Sequence, residues 1–596
     1  MTRRRAPRRA ACALLVAASV LAAVLPACAP REGATPEAAG PRGALATPEP
    51  HATEVGRQVL ARGGNAIDAA IAVHFALAVT FPYAGNLGGG GFAVLAGADG
   101  PPAALDFRET APAAAHPALF LDERGEVIAG LSLHSPLAAG VPGSVRGMAE
   151  LHARGASLPW DELLAPAIAL ARDGFVLDPW TARSFDEAAR RFAAVPEPLR
   201  AHLDFAQTFR GRAGETFRQP ELAATLERIA REGPDEFYRG ETARLIVAEM
   251  RRGGGLVTAD DLASYRAVWR EPLTGRWRGR TLVTMPPPSS GGVALLQLLG
   301  ILERLELPPP RSAARAHLFA EIEKRVFADR SEYLGDPDFV AVPVAELLAP
   351  DYLERRAAEV RAAGGRRSDP ASIAPGLAAV MPAEGADTLH FSVIDAAGRA
   401  VAVTTTINAG YGSGIVVDGA GFLLNNEMDD FAARPGVPNL YGVTGGAANR
   451  VEGGKRPLSS MTPTIVLGDD GAPRLALGSP GGPTIFTTVF QVLVHRFEDG
   501  MPLADAVAAP RVHHQWPPRR AGEDALYVER DAPFRLPAPV LDELRALGYH
   551  VVEREPLGNV QAVERDDADT WHAVADPRGI GTGVVAFSFR APAAAP

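Results

Sequence analysis

The chain has 596 residues, 47% of them hydrophobic, so it can bury a large core and is long enough for roughly two to four domains. Its net charge of −10 at pH 7 gives no electrostatic case for binding nucleic acid. The only two cysteines, Cys12 and Cys28, lie near the N-terminus, which excludes a thiol nucleophile from the rest of the chain. The histidines form no HExxH-type pattern, and we expect no bound metal and no cofactor.

The N-terminal segment, residues 1–28, has the pattern of an export signal. A basic stretch precedes an apolar run over residues 11–24, which is too short for a confident membrane span. Leu-Pro-Ala-Cys at residues 25–28 resembles a bacterial lipobox with Cys28 as the lipidated residue, and a plain signal-peptidase site is the alternative. We expect a protein exported to the bacterial periplasm, lipid-anchored or secreted, with an Ala/Pro/Gly-rich flexible tether over residues 29–45.

Two helices are predicted after the tether. The first covers residues 51–62 and is stopped by a pair of glycines. Asn65 is the predicted N-cap of the second, residues 66–80, which is apolar on nearly every face. Such a helix must be buried, and packing against a sheet in a layered architecture would bury it.

The glycine-rich stretch at residues 86–92 invites comparison with a phosphate-binding loop. It lacks both GK[ST] and GxGxxG, and it precedes a predicted strand instead of opening a helix. We therefore reject phosphate binding and expect these glycines to let two backbone segments approach closely. Residues 104–110 are predicted as a strand end, and residues 130–380 as helical scaffold with a polar loop at 366–384.

A predicted β-hairpin at residues 387–408 carries a candidate nucleophile. Side chains alternate in polarity along its first strand, and Ala396-Ala397-Gly398 forms the loop. If Asp395 pairs with Arg399, Thr388 stands opposite Thr406 and two hydroxyls face each other. A threonine at a chain terminus could use its own α-amine as the base, although threonine is also common in strands for steric reasons alone.

Several motifs share their order and spacing with one known family. They are GGNAIDAA, LDFRETAP, DTLHFSVID, NNEMDDF, KRPLSSMTPTIV and GSPGG. Together they resemble the γ-glutamyltransferase (γ-glutamyltranspeptidase) family of N-terminal-nucleophile hydrolases, and the likeness covers nearly all of residues 45–578. The resemblance implies an α+β fold, a four-layer αββα sandwich in which two fragments of one precursor form a single intertwined unit.

The resemblance also implies the catalytic residues. The precursor would cut itself between Asp387 and Thr388, giving a large subunit over residues 46–387 and a small catalytic subunit over residues 388–596. Thr388 would then be the nucleophile and Thr406 would orient it. In the GSPGG segment, Gly481 and Gly482 would donate to the oxyanion.

The implied substrate is glutathione or another γ-glutamyl amide, with water or an amino acid or peptide as acceptor. Arg108, Ser459 and Ser460 would bind the α-carboxylate, because a guanidinium makes paired bonds to carboxylates. Asn408, Glu427 and Asp430 would bind the α-ammonium. The acidic run at residues 425–430 could otherwise be a solvated face, or a calcium loop for which the EF-hand spacing is absent.

Residues 435–456, rich in Gly, Pro and Asn, predict a lid in which Tyr441 covers the pocket; an ordinary surface loop is the alternative. Two other functions are weighed. An acylase of the same fold, acting on a glutaryl amide such as a cephalosporin side chain, has less need of an ammonium site. A non-catalytic binding lipoprotein would have no need of Thr388, Thr406 and the glycine pair.

Overall fold

Strands and helices alternate along the residues that the computed structural model describes, which are 40–98, 100–377, 388–434, 437, 439–440, 447–517 and 523–587. In chain order the strands are β1 (Pro41–Thr47), β2 (Gly90–Ala96), β3 (Ala103–Asp106), β4 (Phe175–Val176), β5 (Thr216–Phe217), β6 (Val268–Arg270), β7 (Leu273–Trp277), β8 (Arg280–Thr284), β9 (Leu389–Asp395), β10 (Ala400–Thr406), β11 (Thr464–Leu467), β12 (Pro473–Gly478), β13 (Val512–His514), β14 (Ala525–Glu529), β15 (His550–Arg554), β16 (Gln561–Arg565), β17 (Trp571–Ala575) and β18 (Thr582–Phe587). The helices are α1 (Pro50–Ala61), α2 (Ala66–Thr80), α3 (Leu131–His134), α4 (Ser144–Gly155), α5 (Trp160–Asp173), α6 (Pro179–Ala193), α7 (Phe205–Thr208), α8 (Pro220–Glu232), α9 (Asp235–Arg239), α10 (Glu241–Gly253), α11 (Ala259–Ser264), α12 (Gly291–Leu302), α13 (Ala313–Tyr333), α14 (Val344–Leu347), α15 (Pro350–Ala362), α16 (Thr484–Phe497), α17 (Leu503–Ala508) and α18 (Ala538–Ala546).

Two antiparallel sheets form the centre of the protein. One has seven strands in the order β18-β1-β9-β10-β2-β3-β6, and the other has six in the order β17-β16-β12-β11-β8-β7. Each sheet combines strands from before and after residue 388. The two halves of the chain are therefore joined by backbone ladders and would stay associated if the chain were cut between them.

The sheets pack face to face, and helices cover both outer faces. Apolar side chains from the two sheets form the central layer, among them Phe92, Ile394 and Ile465. Helices α1, α2 and α4 pack on the seven-stranded sheet, with α5 packed against α2, and helices α12 and α16 pack on the other sheet, with α13 packed against α12. The predicted αββα sandwich is confirmed. Because both faces are covered, every residue of β9 and β10 is buried.

The first described strand corrects the predicted tether. Residues 41–47 form β1, which lies between β18 and β9 and pairs with both, whereas we expected flexible chain to residue 45. The strand reads PRGALAT, and its small residues resemble a linker in composition. Partners more than 300 positions away supply its hydrogen bonds, so local composition could not indicate it.

The two helices predicted at the start of the fold are confirmed. Helix α1 ends at Ala61, and α2 begins at Ala66 with Asn65 as its N-cap. Asn65 Oδ1 accepts from the amides of Ile67 (2.8 Å) and Asp68 (3.1 Å), and Asp68 Oδ2 accepts in return from the amide of Asn65 (2.8 Å). All residues of α2 are buried. Among the helices of the described residues, none has the length and apolar character needed to cross a membrane.

Candidate active site

Thr388 directly precedes β9 and lies at the end of the predicted hairpin. The observed pairs run from Ile394–Ala400 to Leu389–Thr405, which is the predicted register. One further step along this register sets Thr388 opposite Thr406. Thr388 is 3% exposed, and among the described residues its Oγ has no hydrogen-bond partner. Thr406 is fully buried, and its Oγ accepts from the amide of Asn408 (2.8 Å).

The glycine-rich loop before β2 holds the end of β10 in place. A Cβ atom on Gly89 would lie 2.0 Å from the carbonyl oxygen of Thr406, and one on Gly91 would lie 2.4 Å from that of Thr404. Asn86 links the loop to the end of β10: its Nδ2 donates to Thr406 O (3.0 Å), and its Oδ1 accepts from the amide of Gly89 (3.1 Å). The interpretation that these glycines allow close backbone approach is confirmed.

Gly481 and Gly482 form a sharp turn between β12 and the start of α16. Their φ values are +130° and +58°, a region that favours glycine. Neither backbone amide donates a hydrogen bond to another part of the described chain. Two unused N–H groups beside a helix N-terminus can stabilise a negative charge, so the local geometry fits the predicted oxyanion role.

Arg108 lies at the centre of a buried acidic cluster. Its Nη1 donates to Glu427, its Nη2 donates to Asp430 Oδ2 (2.6 Å), and Glu109 Oε2 lies 3.7 Å from Nη1. All four side chains have no exposed surface. The possibility that residues 425–430 form a solvated face is therefore wrong for Glu427 and Asp430.

One guanidinium cannot neutralise three carboxylates. Burial raises the pKa of Glu427 and Asp430 well above the usual range against the pull of Arg108, and it raises the pKa of Glu109 to about 7. Among the described residues, five acceptor oxygens in and beside this cluster lack hydrogen-bond partners: both carboxylate oxygens of Glu109, Asn408 Oδ1, Glu427 Oε2 and Asp430 Oδ1. Acceptor oxygens without donors suit an ammonium group, which carries three N–H donors and whose positive charge would favour the ionised form of these carboxyls.

The predicted carboxylate-binding serines lie beside the same arginine. Arg108 Nε donates to Pro457 O (3.3 Å), and its Nη2 donates to Leu458 O (3.1 Å). These bonds fix the segment that continues into Ser459 and Ser460, both of which are buried. The structure therefore brings Arg108, the acidic cluster and the two serines together. Arg108, a predicted carboxylate-binding residue, is paired with Glu427 and Asp430, which are predicted to bind the α-ammonium.

Sequence reasoning missed several residues that shape the site. Asn86 holds β10, Glu109 completes the acidic cluster, and Asn449 bridges Asp430 O and the amide of Leu458. Arg330 donates hydrogen bonds to the hydroxyls of Ser290 and Ser460. Only Glu109 had a sequence signal, because it follows Arg108 within the LDFRETAP motif.

Three predicted site residues, Cys28, Asp387 and Tyr441, lie outside the described residues. Within the part of the chain that the structure describes, no group of three or more His, Cys, Asp or Glu side chains is arranged to hold a metal ion.

Comparison with known proteins gives the family. The gamma-glutamyltranspeptidase family model matches residues 52–586. A glutathione hydrolase proenzyme of Pseudomonas aeruginosa is 50% identical over 552 residues, covering 91% of this chain and 94% of the relative. The glutathione hydrolase proenzyme of Escherichia coli is 44% identical over 542 residues, covering 90% and 91%. The crystal structure of a cephalosporin acylase from Bacillus halodurans has a TM-score of 0.77 at 26% identity, covering 94% and 99%. The chain therefore belongs to the gamma-glutamyltranspeptidase family.

Proposed function

We propose that this chain is a self-cleaving γ-glutamyltransferase and glutathione hydrolase. It transfers the γ-glutamyl group of glutathione or a related amide to water or to an amino acid or peptide acceptor. The observation that carries the proposal is the buried Thr388 hydroxyl, which has no hydrogen-bond partner and heads β9 in the register that faces Thr406. The names and extent of the curated relatives support it.

Self-cleavage comes first. Thr388 Oγ attacks the carbonyl carbon of Asp387, the peptide C–N bond breaks, and the nitrogen takes up a proton to become the α-amine of Thr388. Water then hydrolyses the resulting ester, which restores the hydroxyl and leaves the Asp387 carboxylate as a new C-terminus. The products are residues 29–387 and 388–596, and the shared sheets hold them together as a heterodimer.

The mature cycle uses the same hydroxyl. Thr388 Oγ attacks the γ-amide carbon of the donor while the α-amine accepts its proton and passes it to the leaving amine. The amides of Gly481 and Gly482 donate to the oxyanion, and Thr406 orients the nucleophile. Water or an acceptor amine then attacks the γ-glutamyl ester and frees Thr388 for the next turnover.

Substrate recognition depends on the buried cluster around Arg108. The donor ammonium contacts Asn408, Glu427 and Asp430, where acceptor oxygens without partners among the described residues support its binding. The donor carboxylate contacts Arg108 and the hydroxyls of Ser459 and Ser460. Because Arg108 is paired with Glu427 and Asp430, the incoming ammonium takes over part of that pairing and frees the guanidinium to face the carboxylate.

The rival function is an acylase of the same fold acting on a glutaryl amide. The acylase with a TM-score of 0.77 shows that the fold also serves such a protein. A glutaryl group differs from a γ-glutamyl group by lacking the α-amine. The open acceptors in the acidic cluster therefore favour the γ-glutamyl donor, since a glutaryl group would leave them unpaired.

Two features of the proposal rest on the sequence alone. Export to the periplasm with lipid at Cys28 concerns residues outside the described ones, as does the covering role of Tyr441 in the lid.

A non-catalytic binding lipoprotein would not need an unpaired Thr388 hydroxyl.

Purified signal-free protein tests the function directly. We expect two chains, the smaller beginning Thr-Leu-His-Phe, and faster hydrolysis of a γ-glutamyl anilide than of a glutaryl anilide. Thr388→Ala should remain one full-length, inactive chain, while Thr274→Ala, at an exposed position on β7, should cleave and react normally. A processed or active Thr388→Ala protein would refute the mechanism, and a preference for the glutaryl anilide would favour the acylase.

A further inference from the structure

Arg330, near the end of α13, connects the serine segment to the helical layer behind it. Its side chain is 1% exposed. Its Nε donates to Ser290 Oγ (2.9 Å), and its Nη2 donates to Ser460 Oγ (2.9 Å). One rigid guanidinium therefore fixes two hydroxyls, one of which belongs to the segment beside Arg108.

Ser290 extends this support to the neighbouring serine. Both its hydroxyl (2.7 Å) and its amide (2.6 Å) donate to the carbonyl oxygen of Ser459. Through Ser290 and Ser460, Arg330 holds both residues that we assign to the substrate carboxylate. Neither Ser290 nor Arg330 is among the residues that the motif resemblance assigns to carboxylate binding.

Hydrogen-bond direction explains what this contact does. A guanidinium only donates, so a serine oxygen that accepts from it directs its own proton to a different acceptor. Ser290 shows the result, since it accepts from Arg330 and donates to Ser459 O. The same rule applies to Ser460. Its oxygen accepts from Arg330, so its proton is directed away from Arg330 and can be donated to a carboxylate.

We propose that Arg330 is a positioning residue for the α-carboxylate of the donor. It orients the Ser460 hydroxyl as a donor, fixes the Ser459 backbone through Ser290, and adds a buried positive charge behind the serines. The inference rests on the proposed γ-glutamyl activity.

A pair of substrates separates this role from a merely structural one. A γ-glutamyl anilide carries the α-carboxylate, whereas a 4-aminobutanoyl anilide keeps the amine and lacks the carboxylate. In Arg330→Gln we expect kcat/KM for the γ-glutamyl anilide to fall roughly tenfold, the value of one charged hydrogen bond, mainly through KM. For the 4-aminobutanoyl anilide, kcat/KM should be unchanged.

Two further variants complete the test. In a Ser460→Ala background, Arg330→Gln should cost less than it does in the wild-type protein, because the part of its effect that acts through Ser460 is already lost. Arg315→Gln removes another buried guanidinium of α13, one that pairs with Asp499, and should leave both substrates unaffected. If Arg330→Gln does not fold, Ser290→Ala removes only one anchor and should still show a loss confined to the γ-glutamyl anilide.

Equal losses on both substrates, or full additivity with Ser460→Ala, would overturn the inference and make Arg330 a structural residue. Those results would leave the proposed function intact, because the wild-type protein would still cleave the γ-glutamyl anilide. If the wild-type protein self-cleaves yet does not hydrolyse that anilide, the proposed function fails, and the inference fails with it.

Discussion

Gly89→Ala tests whether the glycine-rich loop positions the nucleophile. The added Cβ would lie 2.0 Å from Thr406 O and 2.6 Å from Asn86 Oδ1. Neither neighbour can retreat easily, because Asn86 also accepts from Ser144 Oγ (2.5 Å) and Thr406 ends a buried strand. Relief therefore requires the end of β10 and the loop to separate by roughly 1 Å.

That displacement has two measurable consequences. Overpacking of this kind costs about 1–3 kcal/mol of unfolding free energy. A shift of about 1 Å in a residue that orients a nucleophile can cost on the order of 10²-fold in rate. We expect Gly89→Ala to self-cleave slowly and to lose about 10²-fold in kcat/KM for a γ-glutamyl anilide. Its unfolding free energy should fall by about 1–3 kcal/mol.

Gly155→Ala is the matched control. Gly155 is the last residue of α4, and its added Cβ would meet only the end of the Ile67 side chain, at 3.3 Å. It should self-cleave and react normally. Gel analysis of self-cleavage, steady-state kinetics and thermal unfolding of both variants make the comparison. Wild-type cleavage and kinetics in Gly89→Ala would refute the claim that this loop sets the position of Thr406.

Two further variants test the buried charges. Burial by itself raises the pKa of Glu321, but the Lys324 ammonium outweighs it and the pKa falls to about 2. The ionised Glu321 side chain therefore stabilises the fold fully above its unfolded pKa, and this stabilisation is lost as the pH falls toward 2. Urea unfolding of Glu321→Gln should show that about 3 kcal/mol of pH-dependent stability between pH 4.5 and 2 has disappeared. Asp430→Asn should raise KM for a γ-glutamyl anilide by roughly tenfold or more and leave a glutaryl anilide little affected; equal effects on both would contradict the ammonium assignment.

The elements that were predictable from the sequence are those governed by local rules. The Asn65 cap, the apolar helix α2 and the hairpin register of β9 and β10 each depend on residues a few positions apart. Strand β1 depends on distant partners instead, and its composition indicated a tether. The glycine loop shows that composition can indicate a close backbone approach without naming its partner, since Gly89 and Gly91 approach Thr406 and Thr404, more than 300 positions away. No local pattern indicates the pairing of Arg108.

The candidate site divides in the same way. Motif resemblance located Arg108, Glu427 and Asp430, and the structure places them together. It did not indicate that the guanidinium pairs with the acids themselves. That pairing follows from burial, because a buried charge must find a partner within the protein. Under the proposed function, the Arg108 cluster is an ion-pair network that the donor substrate completes.

Helix α13 shows why the support behind the serines escaped prediction. Its charged residues, including Glu321, Lys324 and Arg330, would normally mark a solvent-facing surface, yet they are buried. Burying them is tolerable only because partners from distant segments surround them, such as Asp524 at Lys324 and Ser460 at Arg330. Of these three residues, Arg330 is the one that reaches the serine segment, and a sequence pattern that scores charge as exposure cannot reveal such a buried contact.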